Sequence, residues 1–336
     1  MVGLDVGTST LISAREMKTK TKYKLFRDAF YKINPSSPFA AKMIEKGLSG
    51  KSYFKKDNSF IIVGQDAIDK AVERNESALR PMVKGVVSPK EKEAFDVLKH
   101  IVKELLGEPI SAGEKVAYSV PAQPVDQEED NFDVGYHTDV FNSFMSSIGY
   151  VPIALNEAEA ICYSELMEDD LTGISCSWGA GMVNICLMSV GEAILKFSLG
   201  RSGDWIDRMA AIATNLPDSA IQIEKEQGDF DVSVSKADMD TLESIPKAIV
   251  VYYQRLASYF WANFKAYLEA KGSNIPKFKN PIPIVLSGGT SSVKGFRELI
   301  EQTKPVDFPI KISEIRHAKD PLYVVARGCL LYSQVG

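Results

Sequence analysis

Alternation of apolar and polar residues governs the first third of the chain and predicts strands joined by tight turns. Residues 2–6 (VGLDV), 9–17 (STLISAREM) and 22–33 (KYKLFRDAFYKI) read as a three-strand meander. The lysines of KTKTKYK (18–24) alternate with smaller residues, the pattern of a solvated strand edge that discourages aggregation. A hairpin turning at Asp57-Asn58 is expected within 53–64 (YFKKDNSFIIVG), followed by a short helix over 65–74. Helical periodicity takes over in 88–107 (SPKEKEAFDVLKHIVKELLG), with Ser88 as its cap, Pro89 in its first turn and Gly107 closing it. A strand at 115–121, a helix at 136–149, a strand at 150–155 and a helix at 156–169 follow.

The second half begins again in the same grammar. Residues 173–200 hold three strand-like runs separated by glycine turns, and a helical region follows. Within it, 248–270 (AIVVYYQRLASYFWANFKAYLEA) is too aromatic to be solvated all round, so core packing is its expected use ahead of a subunit contact. A strand ending in a glycine turn (IPIVLSGG), a helix (SVKGFRELIEQ) and a last helix (DPLYVVARGCLLY) complete the chain. Each half thus carries a meander with a glycine turn and then helix–strand alternation. This weak internal repeat predicts an α/β protein whose two glycine turns face each other across a cleft, where ligands favour binding.

Composition narrows the function classes. The chain has 336 residues, 45% hydrophobic and 25% charged, with a net charge of −5, which gives no global pull toward nucleic acid or an anionic membrane. Its four cysteines, Cys162, Cys176, Cys186 and Cys329, lack CxxC spacing, arguing against a zinc site or a secreted disulfide framework. His100, His137 and His317 are far apart and are expected at surface or incidental positions. No secretory leader and no run of about 20 apolar residues is visible, so a cytoplasmic setting without direct membrane insertion is expected.

Candidate chemistry starts at LDVGTST (4–10). By themselves these residues fit an ordinary hairpin, or a phosphate clasp in which Gly7 admits the backbone to an anion, Thr8, Ser9 and Thr10 add donors, and Asp5 holds a hydrated metal. In LSGGTSSVKGF, Gly288 and Gly289 would let a base and ribose lie against bare backbone; a strand-to-helix turn capped by Thr290 or Ser291 is the plainer reading. No GxxxxGK[ST] run occurs, which argues against a P-loop.

Five segments, taken in order, resemble the actin-like ATPase superfamily, which also includes heat-shock chaperone ATPases and sugar kinases. LDVGTST looks like its first phosphate loop, ALNEAEAICY (154–163) its first connecting helix and SCSWGAGMVN (175–184) its second phosphate loop. IVLSGGTSSVKGF (284–296) is similar to its adenosine motif and YVVARGCLLY (323–332) to its second connecting helix. Within it, ALRPMVKGVVSP (78–89) and SGDWID (202–207) look most like the bacterial actins, the MreB and MamK branch.

The resemblance implies an actin-like fold, two duplicated ribonuclease-H-like domains around a central nucleotide cleft. The first domain would span 1–155 with a small subdomain inserted at about 30–80, and a final helix at about 320–336 would pack back on it. The second would span 156–319, with a helical subdomain inserted at about 205–270. ATP and Mg²⁺ are the implied cofactors. Asp5 would anchor the metal through water, while Gly7, Thr8, Ser9, Thr10, Gly179, Ala180 and Gly181 cradle the phosphates. Glu224 and Lys225 match positions that contact ribose and adenine, near Gly288, Gly289 and Thr290. Glu157 matches a glutamate that orients or activates the attacking water, catalysis for which one well-placed carboxylate suffices.

The second phosphate loop departs from the family pattern. Ser177 stands where bacterial actins typically carry Asp, and Met182 where they carry Thr. Losing a preorganised polar group from such a site costs on the order of 100-fold in rate, so the implied ATPase would be slow, or a binding-only pseudo-enzyme. The leading expectation is an ATP-dependent filament of identical subunits, with an adaptor or cargo protein as a further partner. The alternatives are a small-molecule (sugar or acyl) kinase of the same fold and a non-polymerising ATP-binding adaptor.

Overall fold

Three antiparallel strands begin the chain: β1 (Val2–Val6), β2 (Thr10–Glu16) and β3 (Thr21–Arg27). The computed structural model describes every residue except 19, 75, 89, 127–131, 236–237 and 336. Lys22 and Lys24 are exposed on β3, which forms an edge of its sheet, as the alternating lysines imply. The third strand is shorter than the run 22–33 suggests. The chain breaks at Asp28, whose amide donates to the Ser9 carbonyl at 3.0 Å, and β4 (Phe30–Ile33) enters a different sheet.

That small sheet, in the order β4-β6-β5, contains the expected hairpin of β5 (Tyr53–Lys56) and β6 (Ser59–Val63). Helices α1 (Pro38–Gly47) and α2 (Gln65–Glu73) flank it. A two-stranded hairpin that the sequence reading missed, β7 (Met82–Val83) and β8 (Val86–Val87), turns through Lys84 and Gly85, both at positive φ. Helix α3 (Ala94–Leu106) begins five residues later than a cap at Ser88 suggests. Residues 90–93 (KEKE) offer no apolar side chain to bury, and burial in this helix starts at Ala94. Ser88 accepts from the Lys90 amide at 3.4 Å outside the helix, Pro89 lies outside the described residues, and Gly107 ends the helix at φ 65° as expected.

Strand β9 (Lys115–Val120) pairs parallel with β1, and β10 (Val151–Asn156) pairs parallel with β9, with α4 (Val134–Ser147) between them in the chain. Helix α5 (Glu157–Glu165) leads to the second sheet. There β11 (Gly173–Trp178), β12 (Val183–Ser189) and β13 (Glu192–Leu199) form another antiparallel meander. Three helices follow: α6 (Gly203–Thr214), α7 (Asp218–Gln227) and α8 (Ser244–Lys271). Strand β14 (Ile282–Ser287) then pairs parallel with β11, α9 (Phe296–Gln302) intervenes, and β15 (Ile312–His317) pairs parallel with β14. Helix α10 (Val324–Val335) closes the fold. The sheet orders are β10-β9-β1-β2-β3 and β13-β12-β11-β14-β15, a meander extended by two parallel strands in each case. The repeat read weakly from sequence is therefore present in topology.

Each sheet has its own apolar core. Leu4, Val97, Ile101 and Phe141 are among the residues that fill the first. In the second, α8 buries Tyr253, Phe260, Trp261 and Phe264, so its aromatic residues are largely core. Helix α10 joins the halves: Ala326 and Leu330 pack on Ile12 and Ala14 of β2, and Cys329 packs in a cluster with Ile161 of α5.

His137 corrects an expectation. It is fully buried in α4 beside Phe141, and burial lowers its pKa to about 4. The fold therefore holds it neutral. A folded pKa below the unfolded 6.5 means that its contribution to stability is intact above pH 6.5 and is lost as the pH falls toward 4. The difference amounts to about 3 kcal/mol. Thermal denaturation from pH 7 to 4 is expected to show a shallower fall in midpoint for His137→Leu than for the wild type. Parallel curves would refute this assignment.

Candidate functional site

The site gathers where β1, β11 and the start of α5 converge. Asp5, near the end of β1, accepts a hydrogen bond from Ser119 Oγ at 3.1 Å, and that hydroxyl in turn accepts from the Val6 amide at 2.7 Å. Burial holds the Asp5 carboxyl well above its usual range, and the nearby charge of Glu157 pushes it further. Glu157 opens α5 because Asn156 caps the helix, its side chain accepting from the amides of Ala158 and Glu159 at 3.1 and 3.2 Å. Its carboxylate accepts from Ser177 Oγ at 2.5 Å and from Asn184 Nδ2 at 2.8 Å. Burial raises Glu157 to about 7, with the Ser177 hydroxyl pulling the other way. Glu159 points elsewhere, to Lys196 at 2.9 Å and the Tyr163 hydroxyl at 3.0 Å.

Asn184 was not anticipated. It fixes Glu157 with its amide nitrogen and accepts from the Ala122 amide with its oxygen at 2.8 Å. The signal was present in the hairpin register, since Ser177 and Asn184 are directly opposite on β11 and β12 and therefore share a face. Reading it required knowing where the turn sat.

The two glycine loops meet. Thr8 is buried, and its hydroxyl accepts from the Gly85 amide at 2.9 Å. A Cβ on Gly181 would stand 2.7 Å from the Lys84 Cα and 3.1 Å from Thr8 Oγ, so only glycine permits this approach. Gly7 similarly leaves no room for a side chain, its missing Cβ lying 2.6 Å from the Thr10 carbonyl oxygen. Ser9 and Thr10 face Arg27, whose Nη1 lies at 3.5 and 3.4 Å from their hydroxyl oxygens. Met182, at the departed Thr position, turns into an apolar cluster with Val86 and Phe132, so it supplies packing where a hydroxyl was absent.

A second convergence surrounds Gly179. Its carbonyl accepts from Ser202 Oγ at 2.6 Å, Thr290 Oγ at 2.8 Å and the Gly203 amide at 3.3 Å, while the Ala180 carbonyl accepts from the Asp204 amide at 2.8 Å. Thr290, in the turn after β14, thus ties that turn to the one after β11 instead of capping α9. Neither it nor Ser291 caps α9, which starts after Gly295. Lys225 reaches the same place, bound to Asp207 at 2.7 Å and the Gly203 carbonyl at 3.2 Å. Burial lifts Asp207 to about 6 against the pull of Lys225. Glu224 is half-buried and lies against Gly228. Gly288, at φ 92°, is required by the fold, since a Cβ there would meet the Trp178 backbone at 2.4 Å. Gly289 has nothing within 4 Å of its missing Cβ and leaves open space beside Thr290.

The two segments 78–89 and 202–207 touch each other. Arg80 Nη1 contacts both carboxylate oxygens of Asp204 at 3.0 and 3.2 Å, linking the halves across 124 residues of sequence. Behind it lies Asp28, 1% exposed, with neither carboxyl oxygen in hydrogen-bonding geometry. Burial pushes Asp28 well above its usual range, and Arg80 and the Met82 amide offset this only in part. A raised folded pKa is a cost at neutral pH, where the unfolded chain ionises freely. Asp28→Asn is expected to raise stability at pH 7 by about 1–3 kcal/mol, with the gain vanishing below pH 4. Urea denaturation at both pH values measures this, and an equal effect at both would contradict it.

A family model described as Volactin matches residues 1–332. No curated protein matches the chain in sequence. The structure is similar to that of the MamK double helical filament, with 17% identity over 99% of this chain and 98% of that one and a TM-score of 0.70. It is also similar to MreB5 of Spiroplasma citri bound to ADP, at 15% identity over 99% and 96% of the chains and a TM-score of 0.66. The ethanolamine utilization protein EutJ from Carboxydothermus hydrogenoformans matches at 14% identity, 98% and 89% coverage and a TM-score of 0.53. These full-length likenesses show the actin-like fold that the order of motifs implied.

Proposed function

The chain belongs to the Volactin family, and from that premise we propose that it binds Mg-ATP between its two sheets, assembles with copies of itself into filaments and hydrolyses the nucleotide slowly. The observation that carries this reading is the Glu157 carboxylate, held by Ser177 and Asn184 beside Asp5 where the two glycine loops meet. The solved neighbours support it by their fold, one being a filament and another binding ADP.

The residues present fit a magnesium nucleotide. Burial raises the cost of ionising both carboxylates and the Glu157 charge adds to that of Asp5, a load that a bound cation offsets. When bound, the metal would neutralise phosphate charge, with Asp5 holding it through water. Gly7, Thr8, Ser9 and Thr10 on one side and Gly179, Ala180 and Gly181 on the other line the phosphate end. Gly289 leaves room for the nucleoside beside Gly288, Thr290, Glu224 and Lys225. Glu157 orients the attacking water and accepts its hydrogen bond; a carboxyl near pH 7 is matched to that task. Ser177 contributes a hydroxyl where a second carboxylate would sit, and Met182 contributes none, so turnover is slow.

In this reading residues 1–155, with α10 packed on them, form one half of the cleft and 156–319 the other. No described helix is long and apolar enough to cross a membrane, and four buried free cysteines suit a reducing cytoplasm, where an adaptor or cargo protein would meet the filament.

High-speed sedimentation with Mg-ATP against a nucleotide-free control tests the proposal. Pelleting is expected only with nucleotide. Protein that stays in the supernatant in both tubes at every concentration would overturn assembly, and ATP consumption dependent on sugars or short carboxylic acids would then favour the kinase reading.

A further inference from the structure

Each glycine loop is tied through its backbone to an acid. The Asp28 amide donates to the Ser9 carbonyl of the first loop at 3.0 Å, and the Asp204 amide donates to the Ala180 carbonyl of the second at 2.8 Å. The separation of these two acids therefore follows the gap between the loops, where the proposed nucleotide would place its phosphates. One guanidinium faces both acids. Arg80 Nη1 contacts the Asp204 carboxylate at 3.0 and 3.2 Å, and its charge also draws on the Asp28 carboxyl behind it.

Arg80 and Asp28 belong to the same half. Leu79, the residue before Arg80, exchanges backbone hydrogen bonds with Phe30 at 2.8 and 2.9 Å, which holds Arg80 and Asp28 on adjacent segments. Asp204 lies in the first turn of α6 in the other half. Parting the loops thus takes Asp204 away from Arg80 and leaves Asp28 beside it. Asp28 is suited to receive the guanidinium, because it is 1% exposed and neither carboxyl oxygen has a hydrogen-bond partner. The Asp204 side chain is 42% exposed, so water can take it up when Arg80 leaves. An unpaired acid costs far less in water than in the interior. Losing the contact across the cleft is therefore offset by pairing a buried carboxyl. Two such arrangements make a bistable element, and a ligand between the loops tips its balance toward the close one.

We propose that Arg80 is a two-position latch of the cleft, bound to Asp204 while the halves are close and to Asp28 once they part, and that it sets how fast nucleotide leaves. The latch rests on the nucleotide reading for its consequence, the release of a ligand held between the loops. Asp204 and Asp28 are positioning residues that act through Arg80, and removing them works in opposite directions. A plain structural ion pair between Arg80 and Asp204 gives Asp28 no part in the exchange.

The test follows release of a fluorescent ADP analogue, chased with unlabelled ADP in the presence of Mg²⁺. Asp204→Asn weakens the close arrangement and is expected to speed release about 5-fold or more. Asp28→Asn weakens the parted one and is expected to slow release by about the same factor. A second measurement needs no nucleotide. Spin labels at Val72→Cys of α2 and Ile212→Cys of α6, exposed positions in opposite halves, report the separation directly, the four native cysteines being buried. Asp204→Asn is expected to lengthen the distance between the labels and Asp28→Asn to shorten it. If the wild type binds the analogue, and both variants release it at the wild-type rate or move in the same direction, the latch is overturned and nucleotide binding stands. Opposite distance shifts in a protein that binds no analogue would keep the latch and overturn the nucleotide reading. Unchanged distances without analogue binding would overturn both.

Discussion

Alanine in place of Glu157 is expected to slow ATP turnover by about 100-fold while leaving nucleotide affinity within a few-fold of the wild type. The side chain has two fixed donors, Ser177 Oγ at 2.5 Å and Asn184 Nδ2 at 2.8 Å, so its carboxylate is held in one orientation before any nucleotide arrives. In the proposed mechanism its contribution is to placing water in the transition state rather than to holding ATP. Single-turnover phosphate release measures the first quantity and titration with a fluorescent ATP analogue the second. If slow hydrolysis also times filament disassembly, filaments of the variant persist longer. Asn184→Asp refines the test. It keeps the acceptor for the Ala122 amide but replaces the donor facing Glu157 with a like charge. That charge makes Glu157 harder to ionise, so the acid limb of the rate profile should move to higher pH. Unchanged turnover in Glu157→Ala would remove this residue from the chemistry.

Gly328→Ala is expected to cost about 3 kcal/mol or more, one of the larger effects available to a single added carbon. A Cβ at this point of α10 would lie 1.8 Å from the Ala160 carbonyl oxygen of α5 and 2.5 Å from its carbon, backbone atoms that cannot rotate aside. The same closeness occurs on the other face of α10, where a Cβ on Gly3 would stand 2.1 Å from the Ala326 carbonyl oxygen. Helix α10 is thus packed at backbone distance between β1 and α5, the elements that carry Asp5 and Glu157. Separating them should lower the thermal midpoint by several degrees and weaken nucleotide binding together. Gly47→Ala is the control: its Cβ meets nothing within 4 Å at the exposed end of α1, and its stability should stay within about 0.5 kcal/mol of the wild type. Equal midpoints for the two variants would refute the close-packing account.

Much of the fold was legible because the signals that specify it are local. The turn at Asp57-Asn58, the glycine-separated strands of 173–200 and the amphipathic pattern of α3 each follow from side-chain period and turn chemistry within a few residues. The errors occurred where a distant partner decides. The run 22–33 is continuous in strand propensity, yet it divides at Asp28 because Phe30 pairs in both directions with Leu79, at 2.8 and 2.9 Å, and leaves the sheet. The histidines looked incidental, but α4 turns His137 inward against Phe141.

The candidate site divides the same way. The sequence by itself determined the order of its parts, an acid and glycine turn ending the first strand, a glutamate opening a capped helix, and a second glycine turn between strands, since each is a short motif with its own backbone requirement. Only the tertiary structure decided that Ser177 and Asn184 both grip Glu157, that Gly181 touches Thr8 and Lys84, and that Arg80 meets Asp204 across 124 residues. These are contacts between surfaces brought together as α10 packs against β2 and α5 through apolar clusters of its own. Burial responds to apolar area and shape summed over the whole chain, and no local pattern encodes which distant polar groups it will leave facing one another.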